Sequence, residues 1–174
     1  MQKLIIIRGH SGSGKTTFAK EKIAEFQQQY PIAHTFHIEN DLFIEQDGKY
    51  EWTEERFQQA KKLASQAVKN AFNFAKNNPS ADILIIVSNV GINTTVIHGL
   101  QQSALKLKMH IEVYRMQNFF PNLHNVSEEK VYSMYLALND NPIQGEIFIE
   151  SVSDFPKIMG STKNYNFGDK KAKF

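Results

Sequence analysis

The chain contains no cysteine, which excludes a disulfide scaffold, a thiolate zinc site and a cysteine nucleophile. Long apolar runs are also missing. The longest, Leu4–Ile7 and Ile83–Val87, fall far short of the roughly 20 residues that a membrane-spanning helix needs. Met1-Gln2-Lys3 followed by four aliphatics is too short for a secretory signal and predicts a strand, so a cytoplasmic setting without a membrane partner is expected. Neither charge sign dominates: 20 Lys and Arg stand against 18 Asp and Glu, a net +2 that leans only weakly toward anionic partners. No pair of the six histidines has i, i+3 or i, i+4 spacing on a predicted helix, and His34 and His37 lie on a predicted strand with their side chains on opposite faces. A histidine metal site is therefore not expected. There is no internal repeat and no low-complexity tract.

What is present fits one globular domain: 174 residues, 41% hydrophobic and 22% charged. Four short, β-branched runs (Lys3–Arg8, His34–Glu39, Asp82–Ser88 and His110–Met116) alternate with stretches of helical periodicity. The first and third runs are almost wholly aliphatic, as strands buried on both faces of a parallel sheet require. The predicted helices are Lys15–Gln29, Thr53–Asn77, Thr94–Lys106 behind an Asn93 cap, and Ser127–Leu138, which opens with Ser-Glu-Glu. Asp47-Gly48 marks an exposed loop over 46–51, and Glu146–Glu150 is a candidate short edge strand. The expected fold is a three-layer α/β/α domain over residues 1–150. Its sheet is mainly parallel, has four to five strands and sets the first strand beside the third. Residues 151–174 form a C-terminal extension.

Gly9-His10-Ser11-Gly12-Ser13-Gly14-Lys15-Thr16 matches the phosphate-loop pattern G-x-x-x-x-G-K-[ST] in full. Its glycines allow turn conformations in which successive backbone N–H groups converge on phosphate oxygens, and the helix that starts there adds its positive end. The expected nucleotide contacts are Gly9, Ser11, Gly12, Ser13, Gly14, Lys15, Thr16 and Thr17. Lys15 would bridge the β- and γ-phosphates of ATP, and the Thr16 hydroxyl would ligate Mg²⁺. His10 fills a variable position and reads as a spacer whose backbone matters more than its ring.

The second strand delivers Glu39-Asn40-Asp41 at its carboxyl end, where open α/β sheets bind ligands. A carboxylate there can take the proton of an acceptor hydroxyl. Asp41 is the first candidate and Glu39 the second.

From this point the sequence resembles the polynucleotide-kinase-like P-loop kinases. After the phosphate loop, Glu39-Asn40-Asp41-Leu42-Phe43 is similar to the family's acidic element, Asp47-Gly48-Lys49-Tyr50 to its Gly-x-Tyr stretch, and Asn122-Leu123-His124-Asn125-Val126-Ser127 to its N-x-H-x-V-P segment. The resemblance spans Lys3 to Leu138. It implies γ-phosphoryl transfer from ATP to a hydroxyl, with Asp41 as general base and Lys15 and Asn89 assisting. Implied partners are a nucleoside triphosphate and either the 5′ end of a single-stranded nucleic acid or a small hydroxyl compound. A regulatory nucleotide-binding module is the non-enzymatic alternative.

Two departures accompany the resemblance. Ser88-Asn89 stands where the third strand usually ends in a carboxylate, and no arginine follows Arg115, leaving Lys108 or Lys130 as substitute cations. Arg115 itself is expected to end a strand and pair with a carboxylate. Phe119-Phe120 is expected to pack in the core or lid, with a base-stacking platform as the alternative reading. The Lys61-Lys62 pair reads as a solvated face, and the tail Lys163–Phe174 interleaves lysines with aromatics.

Overall fold

A computed structural model describes residues 1–46, 49–50, 52–121 and 126–150. Its five-stranded sheet is built from β1 (Gln2–Gly9), β2 (His34–Ile38), β5 (Ile83–Asn89), β6 (His110–Met116) and β7 (Ile147–Ile149). The order is β2-β5-β1-β6-β7 and every pairing is parallel. The first strand thus lies beside the third strand of the sheet, as expected, with the fourth on its other side, and the candidate edge strand is its fifth member.

Side-chain alternation along β1 separates two cores. Leu4 and Ile6 join a cluster with Ala64, Ala71 and Ala75 of α3 (Glu54–Asn77) and with Ile97, Leu100 and Ala104 of α4 (Thr94–Lys106). Ile5 and Ile7 face the other way, onto Ala19 and Phe26 of α1 (Lys15–Gln29). The small alanines of α3 let its backbone approach the sheet closely.

The helix boundaries follow their caps. Thr53 Oγ1 accepts from Arg56 N–H at 3.1 Å, Asn93 Oδ1 from Thr95 N–H at 3.0 Å, and Ser127 Oγ from Lys130 N–H at 3.3 Å. Each such cap contributes about 1 kcal/mol. The last of them opens α5 (Glu128–Asp140). α1 differs, because its N-cap is Gly14 and carries no side-chain cap.

Two expectations need correction. The 46–51 stretch is not wholly loop: β3 (Glu45–Gln46) and β4 (Lys49–Tyr50) pair antiparallel around the predicted turn. Residues 40–44, given no element from sequence, form a short helix α2 (Asn40–Ile44) with Asp41 in its first turn. Five residues offer too few turns for a periodicity signal. Among the described residues, no helix is long and apolar enough to cross a membrane. Asp47, Gly48, the Asn122–Asn125 segment and the tail lie outside the described residues.

Candidate nucleotide and phosphoryl-transfer site

The loop between β1 and α1 uses its glycines as conformational hinges. Gly12 and Gly14 have φ of 75° and 90°, a region that strains side-chain-bearing residues. The loop is held by one internal backbone hydrogen bond and two from flanking segments. Gly9 N–H donates to Val90 O at 3.1 Å, Ser13 N–H to His10 O at 3.3 Å, and Phe120 N–H to Gly12 O at 2.8 Å. Ser13 is buried, Ser11 is half-buried, and Thr17 stands exposed in the first turn of α1.

Lys15 curls back over the loop, its Nζ donating to His10 O at 3.0 Å. Burial pushes the pKa of its ammonium down, while Glu39 and, more weakly, Asp41 oppose that shift. Both acids of the second-strand element therefore act on the lysine. The Thr16 hydroxyl donates to Glu39, with Oε1 at 2.9 Å and Oε2 at 3.1 Å. Glu39 is buried, and His37 Nε2 stands 3.5 Å from its Oε2. Burial and the nearby Lys20 lower the pKa of His37, so that contact is not a strong ion pair.

Glu39, the second candidate from sequence, is thus the carboxylate on the phosphate-loop threonine. Asp41 sits two residues further on, half-buried, in α2. Among the described residues, the Asn89 side chain makes no hydrogen bond to the loop or to Lys15. Its Oδ1 accepts from Asn40 N–H at 2.9 Å and so fixes the turn between the two acids. The observed neighbour of Thr16 is a carboxylate on β2, whereas the adjacent strand β5 ends in Ser88-Asn89. Among the described residues, no cluster of three or more His, Cys, Asp and Glu could hold a metal ion alone. Thr16 and Glu39 offer hard oxygen donors, which suit Mg²⁺ completed by phosphate oxygens and water.

The structure overturns the reading of His10 as a spacer. Its ring is fully buried, stacked on Phe119 with centroids 4.2 Å apart and edge-on to Tyr135 at 6.0 Å. Nδ1 lies 2.8 Å from Ser11 O, and because a carbonyl only accepts, the proton resides on Nδ1. Burial lowers the pKa to about 4, so the ring is neutral at pH 7. Phe119 is accordingly a packing residue. Phe120 is about half exposed and lies over the loop, where a Cβ on Gly14 would meet its ring at 3.1 Å.

Arg115 pairs with a carboxylate as expected, and Arg8 shares that partner. Arg8 Nη1 lies 3.0 Å from Glu146 Oε2 and Arg115 Nη1 3.6 Å from Oε1, with all three side chains nearly inaccessible. Sequence reasoning missed the burial of Arg8, which looked like the polar end of a strand. Lys130 Nζ lies 5.6 Å from the centre of the Trp52 ring.

A parallel sheet in this order, with the phosphate loop after its first strand, defines a P-loop kinase-type α/β fold. No family model matches the chain. The chain belongs to the same family as a Pasteurella multocida (strain Pm70) protein named "uncharacterized protein PM0531". The two are 50% identical over 159 residues, covering 91% of this chain and 89% of that protein. Among solved structures, Chaetomium thermophilum Kti12 in complex with ADP-AlF3 superposes with a TM-score of 0.52 and 12% identity, covering 90% of this chain and 97% of that one. At that identity the likeness is one of fold.

Proposed function

We propose that this chain is an ATP- and Mg²⁺-dependent kinase that transfers the γ-phosphoryl group to a hydroxyl, and that its acceptor is the 5′-hydroxyl of a polynucleotide. The observation that carries the reading is the hydrogen bond from Thr16 to Glu39, which joins the acidic element after β2 to the phosphate loop. A phosphate loop alone accounts for nucleotide binding. Carboxylates beside it add what transfer to an alcohol requires.

Gly9, Ser11, Gly12, Ser13, Gly14 and Thr17 line or flank the cradle for the triphosphate. The uncapped N–H groups at the start of α1 supply donors there. Lys15 neutralises phosphate charge. Thr16 and Glu39 would hold Mg²⁺, which when bound would neutralise phosphate charge. Asp41 orients the acceptor hydroxyl and takes its proton as the oxygen attacks phosphorus and ADP leaves. Asn89 positions Asp41 by fixing Asn40. Further support for the nucleotide comes from the fold neighbour crystallised with ADP-AlF3.

Of the three arginines, Arg8 and Arg115 are committed to Glu146. Neither is free to stabilise charge in transfer, a role that elsewhere contributes 10³–10⁵ in rate. Turnover is accordingly expected to be slow. The test is incubation with γ-labelled ATP, Mg²⁺ and 5′-hydroxyl oligonucleotides, free nucleosides or buffer alone. Label on the oligonucleotide supports the proposal, and label on the nucleoside moves the acceptor to a small molecule. Tight ATP binding with no label anywhere reduces the chain to a nucleotide-binding module. Asp41→Asn should abolish transfer and leave ATP affinity within a few-fold. An equal loss of ATP binding would show that Asp41 serves the metal or the fold.

A further inference from the structure

Outside the phosphate loop itself, four side chains form a line of two rings flanked at each end by a cation. Lys130 Nζ lies 5.6 Å from the Trp52 ring centre, Trp52 and Phe57 are 6.2 Å apart at 40°, and Lys61 Nζ lies 5.4 Å from the Phe57 ring centre. Both ammonium separations are within the range of a cation–π contact. The line runs from the first turn of α5 onto the first two turns of α3. It is open: Trp52 is 51% exposed, both lysines are exposed, and Phe57 is half-buried. A tryptophan ring left this accessible is costly to hydrate and is not explained by the core.

The placement is informative. Trp52 follows the hairpin that succeeds α2 and Asp41, and Lys130 follows β6, so both belong to segments that leave the carboxyl ends of strands. Five residues after Lys130, about 7.5 Å along the helix, Tyr135 meets the His10 ring of the phosphate loop. α2, which carries Asp41, packs against α3, so the line lies on the helix next to the proposed base.

We infer that Lys130, Trp52, Phe57 and Lys61 form a landing strip for a single-stranded nucleic acid whose 5′ end reaches Asp41. Bases stack on Trp52 and Phe57, and the ammonium groups contact flanking phosphates. The shared chemistry is a strand of unpaired bases on a phosphodiester backbone, from either RNA or DNA. This rests on the proposed function and adds to it the surface that would select a polymer over a free nucleoside.

Trp52 is the only tryptophan, so its emission reports on the strip directly in the full chain. Short 5′-hydroxyl oligodeoxyuridylate and oligouridylate, which differ only in the 2′-hydroxyl, should quench it saturably, with the tighter of the two naming the preferred sugar. Deoxyuridine, uridine and inorganic polyphosphate should quench it weakly. Trp52→Ala should weaken binding of a dye-labelled strand and raise KM for the oligonucleotide about five- to a hundredfold. KM for ATP should stay within twofold, and Trp52→Phe should restore much of the loss. Lys61→Ala and Lys130→Ala should each lower the salt slope of binding by about 0.7. Polyphosphate quenching equal to that of the oligonucleotides, unchanged strand binding in Trp52→Ala, or no quenching would overturn the strip. Absence of label transfer to any hydroxyl would instead remove the proposed function. The binding titration is read independently of that result.

Discussion

Replacing Glu146 should be among the most damaging single changes to the stability of this fold. Arg8 and Arg115 are register partners on adjacent strands, and one carboxylate, 2% exposed, serves both guanidinium groups at 3.0 and 3.6 Å. The buried group therefore carries an excess positive charge even when complete. Burial lowers the pKa of Arg8, Glu146 opposes that effect, and Arg115 adds to it. Glu146→Gln keeps the size of the side chain but removes the charge, leaving two cations facing each other in a dry site. Breaking a buried pair in this way costs about 3–5 kcal/mol. That is a large share of the roughly 5–15 kcal/mol by which domains are stable, and corresponds to a fall in Tm of about 6–20 °C.

The same geometry makes the cluster asymmetric. Arg115→Met leaves a balanced Arg8–Glu146 pair and replaces a guanidinium with an apolar side chain of similar length. It gives up the hydrogen bond from Arg115 Nη2 to Asn139 Oδ1 and the contact with Phe148. Its cost should be less than half that of Glu146→Gln. Urea unfolding followed by circular dichroism measures both variants against wild type, with an unchanged m-value confirming a common unfolded state. If Glu146→Gln falls within about 1 kcal/mol of wild type, or Arg115→Met proves as costly, the excess-charge argument is wrong.

Two further outcomes follow from the site. His10 has a folded pKa of about 4 against an ordinary 6.5, so between those values the unfolded chain binds the proton and the folded chain does not. The stabilisation is complete above about pH 6.5 and is lost as pH falls toward 4, amounting to about 3 kcal/mol at most. His10→Phe should flatten that segment of the stability–pH curve, and an identical slope in the variant would refute the assignment. Glu39→Gln should raise the Mg²⁺ concentration needed for half-maximal transfer about 10–100-fold with ATP affinity in excess Mg²⁺ little changed, since it removes both a charged oxygen donor for the metal and the carboxylate partner of the Thr16 hydroxyl. Unaltered Mg²⁺ dependence would detach Glu39 from the metal.

Much of the framework was legible because its signals are local. Ile83–Val87 and Leu4–Ile7 state their double-sided burial in five and four consecutive aliphatics. Thr53, Asn93 and Ser127 mark helix starts through hydrogen bonds that span only two or three residues. The phosphate loop is likewise contiguous. What escaped depends on contacts distant in sequence. Arg8 ends an aliphatic strand as a solvent-facing residue would, and its burial is set by Glu146, 138 positions later. The His10 ring sits in a loop whose pattern ignores its identity, and its partners Phe119 and Tyr135 come from the far end of the domain. That Glu39, ranked second as the acceptor's base, is the carboxylate on Thr16 depends on β2 stopping at Ile38 and a helical turn beginning at Asn40, which turns successive side chains in different directions.

That turn also bears on how a chain without a carboxylate at the end of β5 can still bring one to the phosphate loop. β5 lies between β2 and β1 in the sheet, so the ends of all three strands meet at one edge. At that edge the end of β5 offers Asn89, whose carboxamide oxygen takes the N–H of Asn40 at 2.9 Å. The amide side chain thus acts on backbone, and the backbone it holds is the link between Glu39 and Asp41. Glu39 points its two oxygens at the Thr16 hydroxyl. A carboxylate at position 89 could also accept from Asn40, but it would bring a third negative charge beside Glu39 and Asp41, and like charges at such range disfavour one another's ionisation. The neutral asparagine at the end of β5 and the acid at the end of β2 are therefore a matched pair.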